Sequence, residues 1–480
     1  MKSAFCPNEE IINKVRELKP SEEELYREAD DISNGRIFAD VFKEVARYNT
    51  TAKRWYIYDG RVWKEDKENL VCEGLAKKLY LALNWYALDI DANSNYQKTV
   101  RKLGRRNARE TMLKDARSYY TITNEDLDKD IDLFNCPNGT LNLRTGEFRD
   151  HNPEDLLSRI SNVEYNPDAM CPKWEKFISD IMQNDEDKIS ILQDGLGYSI
   201  GGRTDFECFF ITYGKTSRNG KGTLNSTIQY MLGEYSGTAS PDTFTSKRFK
   251  NSSDAPNDTV ASLVGTHYVS VSEPEEQMVL DSALIKALTG NDRMRVRKLY
   301  EGGFEFVATY KIWINTNHLP QIPDESVFDS DRVIMISFDR HFEPEERDTT
   351  LKDKLKQKDE LSGIFNWCYE GYKRSMGRGR LVIPDSVREG IKAYAKSQDR
   401  IQEFLNEATE RVEGAKVKLS ELYKTYKSYC FDSGYKSLGR NKFENKLNEK
   451  GYDIREYGHQ KYVFSIGFTE DYRNPFENVS

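Results

Sequence analysis

Several things are missing from this 480-residue sequence, and each absence excludes something. No uninterrupted apolar run approaches the roughly 20 residues needed to cross a bilayer, and the mean hydropathy is -0.76. Met1 to Glu10 has no apolar core of the secretory-signal kind. A soluble, cytoplasmic chain with no membrane partner is therefore expected. Cysteine is sparse and scattered, at positions 6, 72, 136, 171, 208, 368 and 430, with no C-x-x-C pair. That spacing disfavours a zinc site or a disulfide framework and predicts reduced, buried thiols. Positive charge is in deficit too: 71 Lys and Arg against 79 Asp and Glu give a net charge of -8. A surface basic all over is ruled out, and any polyanion must be met by local patches. Internal repeats are lacking as well. Aromatics, by contrast, are plentiful, with 28 Tyr and 23 Phe, which places the chain among folded proteins. The length allows two to four domains.

The stretch that organises the rest is Phe209-Phe210-Ile211-Thr212-Tyr213-Gly214-Lys215-Thr216-Ser217-Arg218-Asn219-Gly220-Lys221-Gly222-Thr223. A strand-like apolar run meets a glycine-bounded loop, and Leu224 to Leu232 reads as a helix. Backbone N–H groups in such a loop wrap phosphates, and the helix N-terminus adds positive potential. Gly214, Asn219, Gly220, Lys221, Gly222 and Thr223 are the candidate nucleotide-binding residues, with Lys221 reaching the β- and γ-phosphates of a nucleoside triphosphate. The spacing departs from G-x-x-x-x-G-K-[ST] in two ways. Five residues separate Gly214 from Gly220, and Gly222 stands where a magnesium-binding hydroxyl is expected. Thr223, one place on, is left to serve a phosphate or, indirectly, the metal.

Upstream, residues 1–35 are acidic, with a helix predicted to begin at Glu22-Glu23-Glu24 and another to span 36–50. Trp55 to Tyr58 and Arg61 to Trp63 flank Asp59-Gly60, a hairpin signal. Its aromatics favour packing over base stacking. Eight basic residues between Lys98 and Arg117 lie on a predicted helical segment that suits either a phosphate backbone or a solvated face. Residues 133–149 read as a β-meander, and Trp174 to Leu196 as helices leading into the loop strand. Downstream, Ser236 to Asn257 reads as loop, and His267 to Ser272 is a strand delivering Glu273. Met294 to Tyr300 and Phe304 to Val307 form a second hairpin, with Arg295 and Arg297 on one face and Lys298 on the other. Tyr310 to Ile314 ends at Asn317, and Val333 to Phe338 follows Arg332. Alternating strands and helices behind such a loop predict a three-layer α/β core. A charged helix is read from about Asp385 to Ala408. From Val412, two helices (the second capped by Ser437, with Lys442, Lys446 and Lys450 facing out) and a two-stranded piece around Gly458 look like a winged helix-turn-helix.

Phosphate-anhydride hydrolysis needs a phosphate cradle, a metal, a carboxylate to orient water, and cations for developing charge. Lys221, Glu273, Asn317 and Arg332 meet those needs in a compatible order. Arg218 to Thr223, Ser272-Glu273-Pro274, Lys286 to Asp292, Asn317-His318-Leu319-Pro320 and Asp331-Arg332 resemble the phage, plasmid and poxvirus primase–helicase branch of superfamily 3 helicases. The resemblance spans roughly 36–468. It implies an AAA+-like ATPase core with an α+β N-terminal domain and a C-terminal winged helix, using ATP and Mg2+. It further implies a hexameric ring of identical subunits on single-stranded DNA, generally moving 3′ to 5′. Lys221 is then the P-loop lysine, Glu273 the Walker B acid and metal ligand beside Thr223, Asn317 the sensor, and Arg332 the finger. Arg295, Arg297 and Lys298 belong to a channel hairpin, while Arg440, Lys442 and Lys446 meet duplex DNA. The expected divisions are 1–165, 166–376, a linker and helix at 377–411, 412–468, and a tail at 469–480. Pro274 replaces the second acid common at Walker B, so either Glu275 or Glu276 supplies that charge or Glu273 stands alone. Neither a carboxylate pair nor a zinc motif marks a primase centre, so priming would fall to a separate primase, with host replication proteins as further partners. Two other readings stand beside DNA unwinding in replication of a mobile element. One is an initiator or regulator whose ATPase drives assembly, the other an NTPase unrelated to DNA.

Overall fold

The computed structural model describes residues 8–28, 30–246, 258–272, 278–297, 303–433 and 437–472. Its contacts divide the chain into two units, Met1–Val387 and Arg388–Ser480. No helix among the described residues is long and apolar enough to cross a membrane. The six described cysteines are all buried free thiols.

The first unit opens with helices Glu9–Glu17 and Asp31–Phe42 and a three-stranded antiparallel sheet (Ala46–Asn49, Arg54–Tyr58, Trp63–Glu65). No helix starts at Glu22: Ser21 Oγ accepts the amides of Glu23 and Glu24 and holds a turn. The helix expected over 36–50 stops at Phe42 because Ala46–Asn49 pairs with Arg54–Ile57. Trp55 and Trp63 are both core residues, and Trp63 Nε1 donates to Pro153 O at 2.8 Å, so this hairpin's large rings are spent on packing. The basic run from 98 to 117 is two helices, Ser94–Lys102 and Arg106–Ala116, parted at Leu103 to Arg105. A small antiparallel sheet follows (Leu133–Cys136, Gly139–Asn142, Phe148–Arg149), as the turn signals predict.

The centre of this unit is a five-stranded parallel sheet: β1 Phe209–Tyr213, β2 Ser236–Ala239, β3 Tyr268–Ser272, β4 Lys311–Thr316 and β5 Val333–Ser337, in the order β5-β1-β4-β3-β2. β1, β3, β4 and β5 are buried almost throughout, as parallel strands covered on both faces must be. β2 corrects the loop expected from Ser236: Ser-Gly-Thr-Ala has no apolar signal, yet as an edge strand it needs pairing on one side only. Between β3 and β4 runs an antiparallel hairpin, Arg293–Arg297 with Gly303–Val307. Below the sheet, Lys311 is almost fully buried. Its Nζ donates to Gly201 O, to Arg203 O at 3.0 Å and to Thr309 O at 3.3 Å, and lies 4.7 Å from the Tyr198 ring centre. Burial pulls its pKa down to about 7.

The second unit builds its core from Phe404, Leu405, Leu419, Leu422, Tyr426, Phe443, Leu447 and Val463. It therefore begins upstream of Val412, taking in the helix Arg400–Ala408, which Asp399 caps and so breaks from Asp385–Ser397. Helices Leu419–Asp432 and Arg440–Glu449 follow, with Gly439 rather than Ser437 at the N-cap. The strands Lys416–Lys418, Gln460–Phe464 and Ile454–Tyr457 lie side by side in that order, antiparallel.

Candidate functional site

β1 delivers the loop between Gly214 and Gly220. Side chains are excluded at both ends for steric reasons. A Cβ on Gly214 would lie 2.2 Å from Asn219 Nδ2, 2.8 Å from Phe338 O and 3.0 Å from Lys221 Nζ. One on Gly220 would lie 2.4 Å from Ile181, at a φ of 90° that favours glycine in any case. Arg218 also sits at positive φ, 60°, so the loop turns twice before the helix Lys221–Leu232 begins. The loop is braced from within by Asn219 Nδ2, which donates to Thr216 O at 2.7 Å. From outside, Phe342 N donates to Arg218 O at 3.0 Å.

Lys221, 9% exposed, directs its ammonium at the strand ends and donates to Asn317 Oδ1 at 2.8 Å and Gly214 O at 3.3 Å. Loss of hydration lowers its pKa to about 8. The ammonium borders a cleft of about 360 Å³ lined by Lys221, Gly222, Asn225, Ser272 and Asn315 to His318. This lies off the carboxyl ends of parallel strands, where open α/β sheets hold their ligands. Asn317 is presented by a turn in which His318 N donates to Thr316 Oγ1 at 2.9 Å.

Behind the cleft runs a polar ladder that the sequence reading did not single out. Thr212 Oγ1 on β1 donates to Asn315 Oδ1 on β4 at 2.7 Å, and Asn315 Nδ2 donates to Ser270 Oγ on β3 at 3.1 Å. Ser270 Oγ lies 3.4 Å from Ser272 Oγ at the rim. The buried Thr212, Asn315 and Ser270 are each satisfied by the next strand over, as polar atoms inside a sheet must be. The available signal was the polar residue at alternate positions of otherwise apolar strands, Ser270 and Ser272 above all.

Lys221, Asn317 and the glycines are thus brought together; other candidates are not. Thr223 lies outside the cleft lining, its amide bonded back to Gly220 O at 3.0 Å. Arg332 sits at the opposite end of the sheet, where its carbonyl accepts from Phe209 N at 2.8 Å at the start of β1. Five residues of strand at ~3.3 Å each separate it from the loop. Its guanidinium pairs with the Glu207 carboxylate and donates to Thr289 Oγ1 at 2.8 Å. Glu273, Glu275, Glu276 and Lys298 lie outside the described residues, and no His/Cys/Asp/Glu metal cluster occurs among those described. In the hairpin, Arg293 and Arg295 are exposed and Val296 is buried, with Arg295 opposite Glu305 and Arg297 opposite Gly303. In the second unit Arg440 and Lys442 are exposed, Lys446 pairs with Glu449 at 2.8 Å, and Lys450 pairs with Asp399. Of the N-terminal basic run, Lys98, Arg101, Lys102, Arg105 and Lys114 are exposed, while Arg109 closes its own turn by donating to Leu103 O and Gly104 O.

Two family models match the sequence, one described as D5 N terminal like over residues 35–183 and one as Poxvirus D5 protein-like over residues 396–465. The putative helicase L207/L206 of Acanthamoeba polyphaga mimivirus is 24% identical over 383 residues, covering 75% of this chain and 39% of that protein. The putative helicase 022R of Frog virus 3 is 24% identical over 387 residues, 63% of this chain and 39% of its own length. The chain therefore spans about two fifths of these relatives. A solved structure titled as the A form apo structure of the NrS-1 C terminal region is similar at 10% identity with a TM-score of 0.46, over 91% of this chain and 100% of that one.

Proposed function

On the premise of a viral and phage primase–helicase family, which the family models and the named relatives support, we propose that this chain is an ATP-dependent DNA helicase. It would serve replication of a viral or other mobile element, as an AAA+-like ring of six identical subunits. The observation that carries the reading is the glycine-bounded loop with a buried lysine aimed, beside an asparagine, into a cleft at the ends of parallel strands.

The residues fit a nucleoside triphosphate. Gly214 and Gly220 let the loop pack tightly against Phe338 O and Ile181, where any Cβ would clash, and a loop held that way can turn its backbone N–H groups toward phosphate oxygens. Lys221 exchanges Asn317 and Gly214 O for the β- and γ-phosphates, which frees Asn317 Oδ1 and Nδ2 to orient the attacking water or the γ-phosphate. Gly222 offers no hydroxyl, so a magnesium ion would draw on Ser272 at the cleft rim and on Glu273, the next residue along. Such an ion neutralises phosphate charge and fixes the reacting geometry. Glu273 takes the proton of the attacking water. Arg332 lies a strand's length from its own loop, so it would act on the nucleotide of a neighbouring subunit. The hairpin carrying Arg295, Arg297 and Lys298 would line the ring's channel. Arg440, Lys442 and Lys446, in a winged-helix arrangement, would meet duplex DNA.

The test is strand displacement on 3′- and 5′-tailed duplexes, with ATP turnover measured with and without single-stranded DNA. DNA-stimulated hydrolysis with displacement of the 3′-tailed substrate is expected. Hydrolysis indifferent to DNA would overturn the reading.

A further inference from the structure

The sheet of the C-terminal unit has a face that neither the nucleotide cleft nor the helix Arg440–Glu449 uses. Val417 and Ile454 both sit opposite Val463, and these three point inward, Val463 being fully buried. Strand alternation puts the intervening residues on the other side. There Lys416 is opposite Phe464, Lys418 and Arg455 are opposite Tyr462, and Tyr457 is opposite Gln460. Three aromatic rings and three cations therefore share one small face.

The rings form a connected surface rather than a buried cluster. The Tyr457 ring centre lies 6.4 Å from that of Tyr462 and 6.0 Å from that of Phe464, and Tyr457 is 51% exposed. Lys416 Nζ stands 5.0 Å from the Tyr462 ring centre and 5.7 Å from that of Tyr457, while the Arg455 guanidinium stands 5.2 Å from that of Phe464. Two acids temper the positive charge: Asp453 pairs with Arg455 at 2.6 Å, and Glu421 lies 3.7 Å from Lys418. Lys416 has no carboxylate partner among the described residues.

We propose that this face binds an unpaired stretch of nucleic acid, with bases stacked on Tyr457, Tyr462 and Phe464 and phosphates held by Lys416, Lys418 and Arg455. The cations stand over the ring faces. A single strand suits such a surface because every base has a π-face and every linkage a charge, the cations moving from the rings to the phosphates as bases stack. A duplex hides its base faces in its own stack, and an acidic peptide would satisfy the cations but not the rings. The inference concerns the unit from Arg388 to Ser480 alone and does not depend on the nucleotide cleft.

The test uses the full chain without nucleotide and a fluorescein-labelled oligothymidylate carrying one 5-iodouracil. Irradiation should cross-link that base to Tyr457 or Tyr462, and peptide mapping locates the adduct. Excess unlabelled single strand should suppress it, whereas blunt duplex and polyglutamate should not. By anisotropy, Tyr457→Ala should bind the oligonucleotide about 10-fold or more weakly, in line with the loss of one stacked base. Tyr457→Phe, which keeps the ring, should bind within about twofold of the parent. Three results would each overturn the proposal: adducts only elsewhere in the chain, equal competition by duplex or polyglutamate, or unchanged affinity in Tyr457→Ala.

Discussion

The parallel sheet of the first unit is covered on both faces, so its side chains reach solvent only where strands stop; the sheet of the second unit is covered on one face, and the other is open. Chemistry follows that difference. In the first, Lys221 and Asn317 meet at the carboxyl ends of β1 and β4, and Thr212, Asn315 and Ser270 within the strands hydrogen-bond to one another. In the second, a whole strand face carries rings and cations. A buried sheet presents function as points along its rim, whereas a half-open one presents it as an area.

Arg332 tests the rim idea most severely, because it stands at the wrong rim for its own nucleotide. Arg332→Ala should bind ATP normally and lose turnover by as much as ~10³–10⁵, the range seen for arginine fingers. Mixing it with Lys221→Ala should restore measurable ATPase at interfaces that contain one intact loop and one intact Arg332. Mass measurement on tagged mixtures verifies subunit exchange; exchanged assemblies that stay inactive would sink the trans assignment.

A second comparison sets the ladder inside the parallel sheet against the open face. Asn315→Ala strands the Thr212 and Ser270 hydroxyls in the core and should cost about 1–3 kcal/mol in denaturant unfolding. Tyr457→Ala on the open face should stay within about 0.5 kcal/mol. Equal costs would mean that the exposed rings are structural after all.

Protonation sharpens the contrast further. In the free protein Lys221 titrates near 8 because it is desolvated, and phosphate charge raises that value. ATP binding above pH 8 therefore takes up a proton, and affinity should fall about tenfold between pH 7 and pH 9. Calorimetry in buffers of different ionisation enthalpy would detect the uptake. Stability without ligand moves the other way. The unfolded chain keeps that proton to about pH 10.4, so the lysine's penalty is largest below pH 8 and fades as pH rises toward that value.

The smallest effect is expected on the helix Arg440–Glu449. Arg440→Ala with Lys442→Ala should weaken duplex binding alike for all sequences and lower its salt slope by about 0.9 per lost phosphate contact. An unchanged slope would remove this helix from the duplex interface.

The loop was legible because its turn is local, with Gly220 and Arg218 at positive φ within a few consecutive residues, although the close approaches of Gly214 to Phe338 O and of Gly220 to Ile181 were not. Asn317 was legible for a similar reason, as a polar residue where an apolar strand stops. The ladder was not, because Thr212, Ser270 and Asn315 lie on three segments far apart in the chain, and only strand order and register bring them together. β2 escaped notice because an edge strand in a parallel sheet requires no apolar alternation. The end of the helix at Phe42 was hidden for the opposite reason: local helix periodicity continued past the point where pairing with Arg54–Ile57 claims the backbone. Pairing at a distance, not composition, separates what was readable from what was not.

The Lys311 Nζ beneath the sheet acts as a tethered hydrogen-bond donor, and burial leaves it only partly charged at neutral pH. Three carbonyls, from Gly201, Arg203 and Thr309, converge on a donor that arrives covalently attached to β4. The turn at 200–203, which leads toward β1, is thereby keyed to a strand more than a hundred residues later. These bonds form only when the turn and β4 are both in place, so the approach to the glycine-bounded loop and the strand leading to Asn317 are expected to form together. Amide protons of the turn and of β4 should accordingly gain hydrogen-exchange protection together during refolding.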